Sequence, residues 1–347
     1  MNTDQIRCDI FCAVIDNYGD AGVCWRLARQ LALEYRWQVR LWIDDPAPLY
    51  RLAPDCAAGP VDIRLWPDRW QDTAPADVVI EAFACELPAA YVEAMAARAG
   101  APAWINLEYL SAEAWVAGCH GLPSPHPRLP LVKHFFFPGF DAATGGLLRE
   151  PDYDLRRSAF DEAKFRAEFK LPMREPDEML VSLFAYPHNR LPELLPAMAC
   201  SRRPIRLLLP GSNEATHREG SLSMHPLPFL PQRRYDEILW ACDLNFVRGE
   251  DSFVRAQWAA KPFVWQIYPQ TDDAHMIKLD AFLGRHPAGP LLQPFWHAWN
   301  GHGHPDWAAF ETLLPGLIEP AQQWEKHLRT PPDLAAALVH FCLPRLK

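Results

Sequence analysis

Arg248-Gly249-Glu250-Asp251-Ser252-Phe253-Val254-Arg255-Ala256-Gln257-Trp258 decides how the chain reads. Directly before it, Leu244-Asn245-Phe246-Val247 is a short apolar strand; directly after the corner, residues 252–260 read as a helix. Arg-Gly-Glu-Asp-Ser is therefore a strand-to-helix corner. Asp251 and Ser252 are both good N-cap residues, and Gly249 lets the backbone approach a ligand closely. A helix start presents backbone N–H groups and the positive end of its dipole, which together make a seat for phosphate. Arg248 adds a charge-assisted contact, and Glu250 is left to meet hydroxyls. The corner offers donors for a diphosphate and a carboxylate for a ribose or sugar. An ordinary capped helix with an Arg–Glu ion pair fits the same letters.

Around this corner the second half alternates strands and helices. Residues 179–184 form a strand followed by Ala185-Tyr186-Pro187, 191–200 a helix, and 205–209 a strand ending at Pro210-Gly211. Residues 227–230 lead into Pro231-Gln232-Arg233-Arg234-Tyr235, which opens a helix through Ala241, and 263–267 form a last strand. Phe184, Tyr186, Phe229 and Tyr235 gather near strand ends. Each alone reads as core; together they make a clamp for a planar base, with Gln232 placed to hydrogen-bond its edge.

The first half repeats the alternation: strands at 10–15, 39–43, 61–65, 77–83 and 104–107, and helices at 23–35 and 89–98. Such alternation predicts a parallel sheet with helices on both faces and a ligand beyond the carboxyl ends of the strands. The loop Asp16-Asn17-Tyr18-Gly19-Asp20-Ala21-Gly22 occupies that position. It is not a G-x-G-x-x-G turn, and its acids would repel a diphosphate. Its glycines let the backbone turn so that Asp16 and Asp20 face a cleft; alternatively, Asp20 is a plain helix N-cap. Residues 118–141 read as a long loop with one strand. Residues 155–170 read as one helix with Phe160, Phe165 and Phe169 in the core, and 172–176 as a linker. The Ala/Leu-rich helix at 333–342 has nothing obvious to pack on in the second domain and is expected to cross back to the first.

Length and composition agree. The 347 residues suffice for two domains. A net charge of −9 disfavours a broad basic face, so no nucleic-acid partner is expected. The 35 prolines are scattered between apolar runs as loop punctuation. The 9 cysteines include no C-x-x-C pair, which points to free thiols in a reducing compartment and not to zinc. The first seven residues are too polar for a signal peptide, and no apolar run is long enough for a membrane span. A cytoplasmic protein without a membrane partner is expected. His297, His302 and His304 show no ligand spacing, so no metal is expected.

Two stretches combine into a resemblance: Asp16-Asn17-Tyr18-Gly19-Asp20-Ala21-Gly22-Val23-Cys24-Trp25-Arg26-Leu27-Ala28-Arg29-Gln30-Leu31, and Arg248 to Gln257 with Lys261-Pro262-Phe263-Val264-Trp265-Gln266-Ile267-Tyr268-Pro269-Gln270. The chain resembles the bacterial elongation factor P arginine rhamnosyltransferases, the EarP family, over essentially its whole length. The resemblance implies an α/β GT-B glycosyltransferase fold, two facing Rossmann-like domains with an interdomain cleft. On that pattern residues 1–177, completed by a C-terminal helix at 331–347, form the acceptor-side domain, and residues 178–330 the nucleotide-sugar domain. It implies dTDP-β-L-rhamnose as donor, an arginine of elongation factor P as acceptor, inversion at the anomeric carbon, and support for translation of polyproline stretches. No cofactor is implied. The family's catalytic acids fall on Asp16, Asp20 and Glu250. Its diphosphate contacts fall on Arg248, Asp251 and Ser252, and its thymine pocket on Phe184, Tyr186, Phe229, Gln232 and Tyr235. Position 235 holds Tyr where some members have Phe, a change that preserves stacking. A guanidinium, with a pKa above ~12, is a poor nucleophile until an anionic acid orients it and accepts a proton. Asp20 is the expected base, with Asp16 holding the cation or Asp20 itself. A sugar-nucleotide epimerase of the same fold and a non-catalytic translation-factor binding protein are the competing readings; a nicotinamide oxidoreductase lacks its glycine fingerprint.

Overall fold

The computed structural model describes residues 6–16, 18–67, 70, 73–187 and 190–346. They form two compact units, residues 1–151 with 328–347, and residues 152–327.

The first unit is built on β1 (Arg7–Cys12), β2 (Gln38–Ile43), β3 (Asp62–Leu65), β4 (Val78–Ala82), β5 (Ala103–Leu107), β6 (Pro123–Pro125) and β7 (Val132–Phe136). The sheet order is β3-β2-β1-β4-β5-β7-β6, parallel except for the β6–β7 hairpin. Its helices are α1 (Tyr18–Glu34), α2 (Ala47–Leu52), α3 (Ala89–Ala96) and α4 (Val116–Cys119). From β1 the chain winds outward to β3, then returns to β4 on the other side. The carboxyl ends of β1 and β4 thus flank a topological switch point, where open α/β sheets take their ligands. Phe11, Trp42, Val79, Tyr91 and Trp104 pack one face of this sheet. Asp9, fully buried among them, is tolerated because its carboxylate accepts from Arg40 (2.5 and 2.6 Å), Trp42 Nε1 (3.2 Å), Ala76 N (3.2 Å) and the Tyr91 hydroxyl.

The second unit carries β8 (Met179–Leu183), β9 (Ile205–Pro210), β10 (His217–Glu219), β11 (Leu222–Leu227), β12 (Leu244–Arg248) and β13 (Phe263–Gln266). Their order is β10-β11-β9-β8-β12-β13, with only β10 antiparallel to its neighbour. Its switch point lies between β8 and β12. The helices are α5 (Tyr153–Ser158), α6 (Glu162–Glu168), α7 (Leu191–Ala199), α8 (Gln232–Ala241), α9 (Asp251–Ala259), α10 (Ala274–Leu283), α11 (Gly289–Trp299) and α12 (Trp307–Leu328). No described helix is long and apolar enough to cross a membrane. A buried ion pair ties α8 to α9: Asp236 accepts from Arg255 Nε (2.9 Å) and Nη2 (2.7 Å), and Arg156 of α5 joins at 3.1 Å.

The structure corrects several expectations. Residues 152–177, expected in the first domain, belong to the second unit. The Tyr153 hydroxyl accepts from Trp240 Nε1 at 2.8 Å, and Phe165 and Leu171 share a core with Leu180, Leu208 and Ile238. The expected single helix at 155–170 is two, because Asp161 caps α6 by accepting from Lys164 N at 3.1 Å. The region 118–141 holds two strands, and β10 and β11 stand where no strand was expected. The return to the first unit begins at residue 328. There α13 (Leu334–Cys342) buries Leu334, Leu338 and Cys342. Asp333 caps it through Ala335 N and Ala336 N and accepts from Gln30 Nε2 of α1 at 3.0 Å. The nine cysteines are free thiols; Cys200 is exposed, Cys119 half-buried and the rest buried.

Candidate active site

Asp16 and Asp20 stand at the carboxyl end of β1, on the first unit's switch point. Residues 18–20, expected in a loop, already belong to α1, so Asp20 lies in the first helical turn. Its carboxylate does not act as a plain N-cap. Oδ2 reaches back and accepts from the N–H groups of Ile15 (2.9 Å) and Asp16 (2.8 Å), ahead of the helix. Asp20, 2% exposed, thereby holds the backbone that carries half-buried Asp16 and 70% exposed Ile15. Its other oxygen, Oδ1, faces the Tyr109 hydroxyl at 3.4 Å. A third acid steadies the same loop: Asp44 Oδ1, beyond β2, accepts from Val14 N at 2.9 Å. Gly19 serves close approach here, not a left-handed turn. A Cβ at that position would lie 2.6 Å from Asp16 Oδ2. Beneath the loop, the bond to Cys12 and then burial push the Cys24 thiol well above its ordinary range, so this floor is uncharged.

Across the switch point, β4 is followed by Phe83 and Ala84, both left-handed at φ 57° and 55°. Each costs roughly 1–2 kcal/mol as a non-glycine residue. The turn is held by Phe83 N to Leu107 O (2.7 Å), Cys85 N to Ala82 O (3.1 Å) and Cys85 Sγ to Phe11 O (3.2 Å). The Phe83 ring stacks on Tyr109 with centroids 4.4 Å apart and planes 14° apart. Tyr109 was not singled out in the sequence. Its only signal there is its place two residues beyond the end of a buried strand.

In the second unit, Arg248 ends β12 and Gly249 turns the corner at φ 61°. Gly249 N donates to Gln266 O (3.1 Å), and Trp265 Nε1 donates to Gly249 O (2.7 Å). Neither expected N-cap residue caps α9. Asp251 is its first residue, and Glu250 precedes it without a side-chain cap bond. The Ser252 hydroxyl turns back to the strand, donating to Arg248 O and accepting from Arg248 N at 3.1 Å. Asp251 Oδ2 accepts from Gln232 Nε2 at 2.9 Å, so that amide hydrogen is committed to the corner and not to a base edge. The start of α9 thus keeps its dipole in a corner braced from β12, β13 and α8.

Arg248 points back over β8. Its guanidinium carbon lies 4.4 Å from the Phe184 ring centroid and 4.5 Å from that of Tyr186, and Nη1 reaches Ala185 O at 3.4 Å. Tyr186 is pinned by its N–H to Gln266 Oε1 (2.8 Å) and by an edge contact with Tyr268 (5.6 Å). Phe184 meets the Tyr235 ring at 5.4 Å. Among the described residues the enclosed Tyr235 hydroxyl has no hydrogen-bond partner, and burial pushes its pKa up, so it stays a neutral phenol. Phe229 follows β11 and borders Gly211 (φ 78°), whose Cβ position would be 3.6 Å from the ring. Phe184, Tyr186, Tyr235 and Arg248 therefore form one connected set; Gln232, Asp251 and Ser252 brace the corner beside it. Gln266, Trp265 and Tyr268, all within the second stretch that carries the resemblance, act as its supports.

Among the described residues, no three His, Cys, Asp or Glu side chains are grouped to hold a metal ion. His297, His302 and His304 each sit beside one carboxylate, of Asp280 (2.6 Å), Asp273 (3.6 Å) and Glu193 (2.6 Å).

Residues 8–343 match the family described as Elongation-Factor P (EF-P) rhamnosyltransferase EarP. A protein-arginine rhamnosyltransferase of Pseudomonas putida is 47% identical, over 96% of this chain and 97% of its own. One of Pseudomonas aeruginosa is 45% identical, over 96% and 98%. A solved structure described as the structural basis for EarP-mediated arginine glycosylation of translation elongation factor EF-P is 33% identical, with TM-score 0.67 over 97% of this chain and 98% of that one. Acinetobacter baumannii MurG, 14% identical with TM-score 0.54 over 97% and 99%, shares the fold alone. The architecture is that of the GT-B glycosyltransferases.

Proposed function

We infer the reaction from one premise: the chain belongs to the EarP family of elongation factor P rhamnosyltransferases. It is a glycosyltransferase acting on protein arginine. Its donor is dTDP-β-L-rhamnose and its acceptor an arginine of elongation factor P, a modification that supports translation of polyproline stretches. The observation that carries the donor assignment is the Arg248 corner: a cation held by Phe184 and Tyr186 beside a helix start at which Glu250 makes no side-chain cap bond. Thymine lies against the rings of Phe184, Phe229 and Tyr235. The diphosphate meets Arg248 and the first N–H groups of α9, and Glu250 meets sugar hydroxyls.

In the reaction, a guanidinium nitrogen forms the bond to the anomeric carbon while the bond to the diphosphate oxygen breaks on the opposite face. The nitrogen's proton passes to Asp20, and the electron pair leaves with dTDP. Asp16 holds the cation, on the backbone that Asp20 pins. Arg248 and the helix dipole neutralise the leaving diphosphate, and this reading calls for no metal. The test is the intact mass of elongation factor P after incubation with this protein and dTDP-β-L-rhamnose. The expected result is one added rhamnosyl group on arginine. Binding without added mass would leave a non-catalytic partner, and donor conversion without acceptor would point to an epimerase.

A further inference from the structure

We propose that Tyr109 is a positioning residue that aims Asp20 at the acceptor arginine; this rests on the reading of Asp20 as the proton acceptor. The two oxygens of Asp20 differ. Oδ2 already accepts from Ile15 N and Asp16 N, which fixes the carboxylate plane but uses that oxygen. Oδ1 is the oxygen left to meet a guanidinium, and Tyr109 Oη stands 3.4 Å from it. That distance is longer than a seated O–H···O bond. It leaves Oδ1 able to take a second donor, and contacts of this kind tighten when substrate arrives.

The tyrosine is not casually placed. Its ring lies face to face on Phe83, and Phe83 belongs to a left-handed pair at the end of β4. The pair is held by one backbone bond to β5 and, through the adjoining Cys85, by a backbone bond to β4 and a thiol bond to β1. Two consecutive non-glycine residues in that conformation are a local cost, and its visible return is a flat platform that fixes the tyrosine. When the acceptor's proton moves to Oδ1, the tyrosine hydroxyl steadies that oxygen from the side and keeps its lone pair toward the nucleophile. In this role Tyr109 acts through Asp20.

The test is a double-mutant cycle on the full chain, read as single-turnover rhamnosylation of elongation factor P with dTDP-β-L-rhamnose. Tyr109→Phe keeps the stacked ring and removes only the hydroxyl. The expected result is a rate about tenfold lower, the worth of one hydrogen bond to a charged group, with melting temperature and donor affinity unchanged. In an Asp20→Asn background the same change should alter the rate less than twofold, because the tyrosine then has no base to aim. Equal losses in both backgrounds, or no loss in the parent, overturn the proposal while leaving Asp20 as base. An Asp20→Asn variant at parent rate overturns the reading of Asp20 itself, and this proposal with it.

Discussion

Replacing Gly19 with alanine separates the fold from the chemistry at the acid corner. Gly19 sits in the first turn of α1, where alanine is the better helix former by at most about 1 kcal/mol. The added Cβ would fall 2.6 Å from Asp16 Oδ2 and 3.2 Å from Asp16 Cγ, whereas ordinary contact starts at 3.4 Å. What it strikes is the far end of a side chain, so the carboxylate rotates away and the helix stays. The backbone N–H groups that Asp20 binds belong to residues 15 and 16 and do not contact that Cβ. Thus Asp16 alone is displaced, by close to an ångström. A displacement of that size at a catalytic group costs up to about 10²-fold in rate. Gly19→Ala is expected to melt at or slightly above the parent temperature. It should bind dTDP with parent affinity, because the proposed donor residues lie in the other unit, and rhamnosylate about 10- to 100-fold more slowly. In an Asp16→Ala background it should cost nothing further. A folded Gly19→Ala enzyme with parent single-turnover rate would refute the placement of Asp16 in the reaction.

Asp20→Asn can keep both backbone bonds through its amide oxygen, so stability should hold while the rate falls roughly 10²–10⁴-fold; near-parent rhamnosylation would remove Asp20 as base. Phe229→Ala should weaken dTDP binding by about 1–3 kcal/mol if the ring stacks on thymine, and unchanged titration calorimetry would sink that role. Turnover should survive EDTA if, as proposed, Arg248 and the start of α9 meet the diphosphate; loss restored by magnesium would contradict it. His286 is packed among Phe263, Phe282 and Trp324, and burial pushes its pKa down to about 4. The unfolded chain binds this proton first, near pH 6.5, so the contribution is full above that pH. It is lost as pH falls toward 4, amounting to roughly 3 kcal/mol. His286→Phe should shrink the drop in urea midpoint between pH 7.5 and pH 4.5, and an unchanged drop would show the histidine is not responsible.

Most strands were legible because they are short apolar runs bounded by turn residues, as at β4, β8 and β12. β11 was hidden because Ser223, His225 and Pro226 interrupt its apolar pattern. The break between α5 and α6 was hidden for the opposite reason. Phe160, Phe165 and Phe169 keep helical spacing across Asp161, and only the capping bond shows where one helix stops. Segment 152–177 was misassigned because Pro172 and Pro176 resemble a linker. What allots it to the second unit is contact with Trp240, Asp236 and Leu208, all distant in sequence.

The site divides along the same line. Asp16, Asp20, Arg248, Asp251 and Ser252 lie within two short stretches, each at or just past the carboxyl end of a strand, so they could be singled out from spacing. The groups that orient them could not. Tyr109 meets Phe83 because β4 pairs with β5 and Ala82 opposes Leu107, and it reaches Asp20 because β1, which leads to α1, pairs with β4 on the other side. Gln266 reaches Tyr186 because β8 and β13 flank β12. In each unit the legible motif falls on one strand of the switch point, and its supports come from strands whose neighbours only the sheet order defines. Helix starts show the same limit. Gly19 weakens the helical signal of 18–20, so Asp20 reads as a cap. In the folded chain Gly19 makes room for Asp16, and Asp20 holds the backbone ahead of the helix. A residue chosen for close approach thus masks, in the sequence, the element that positions the acid.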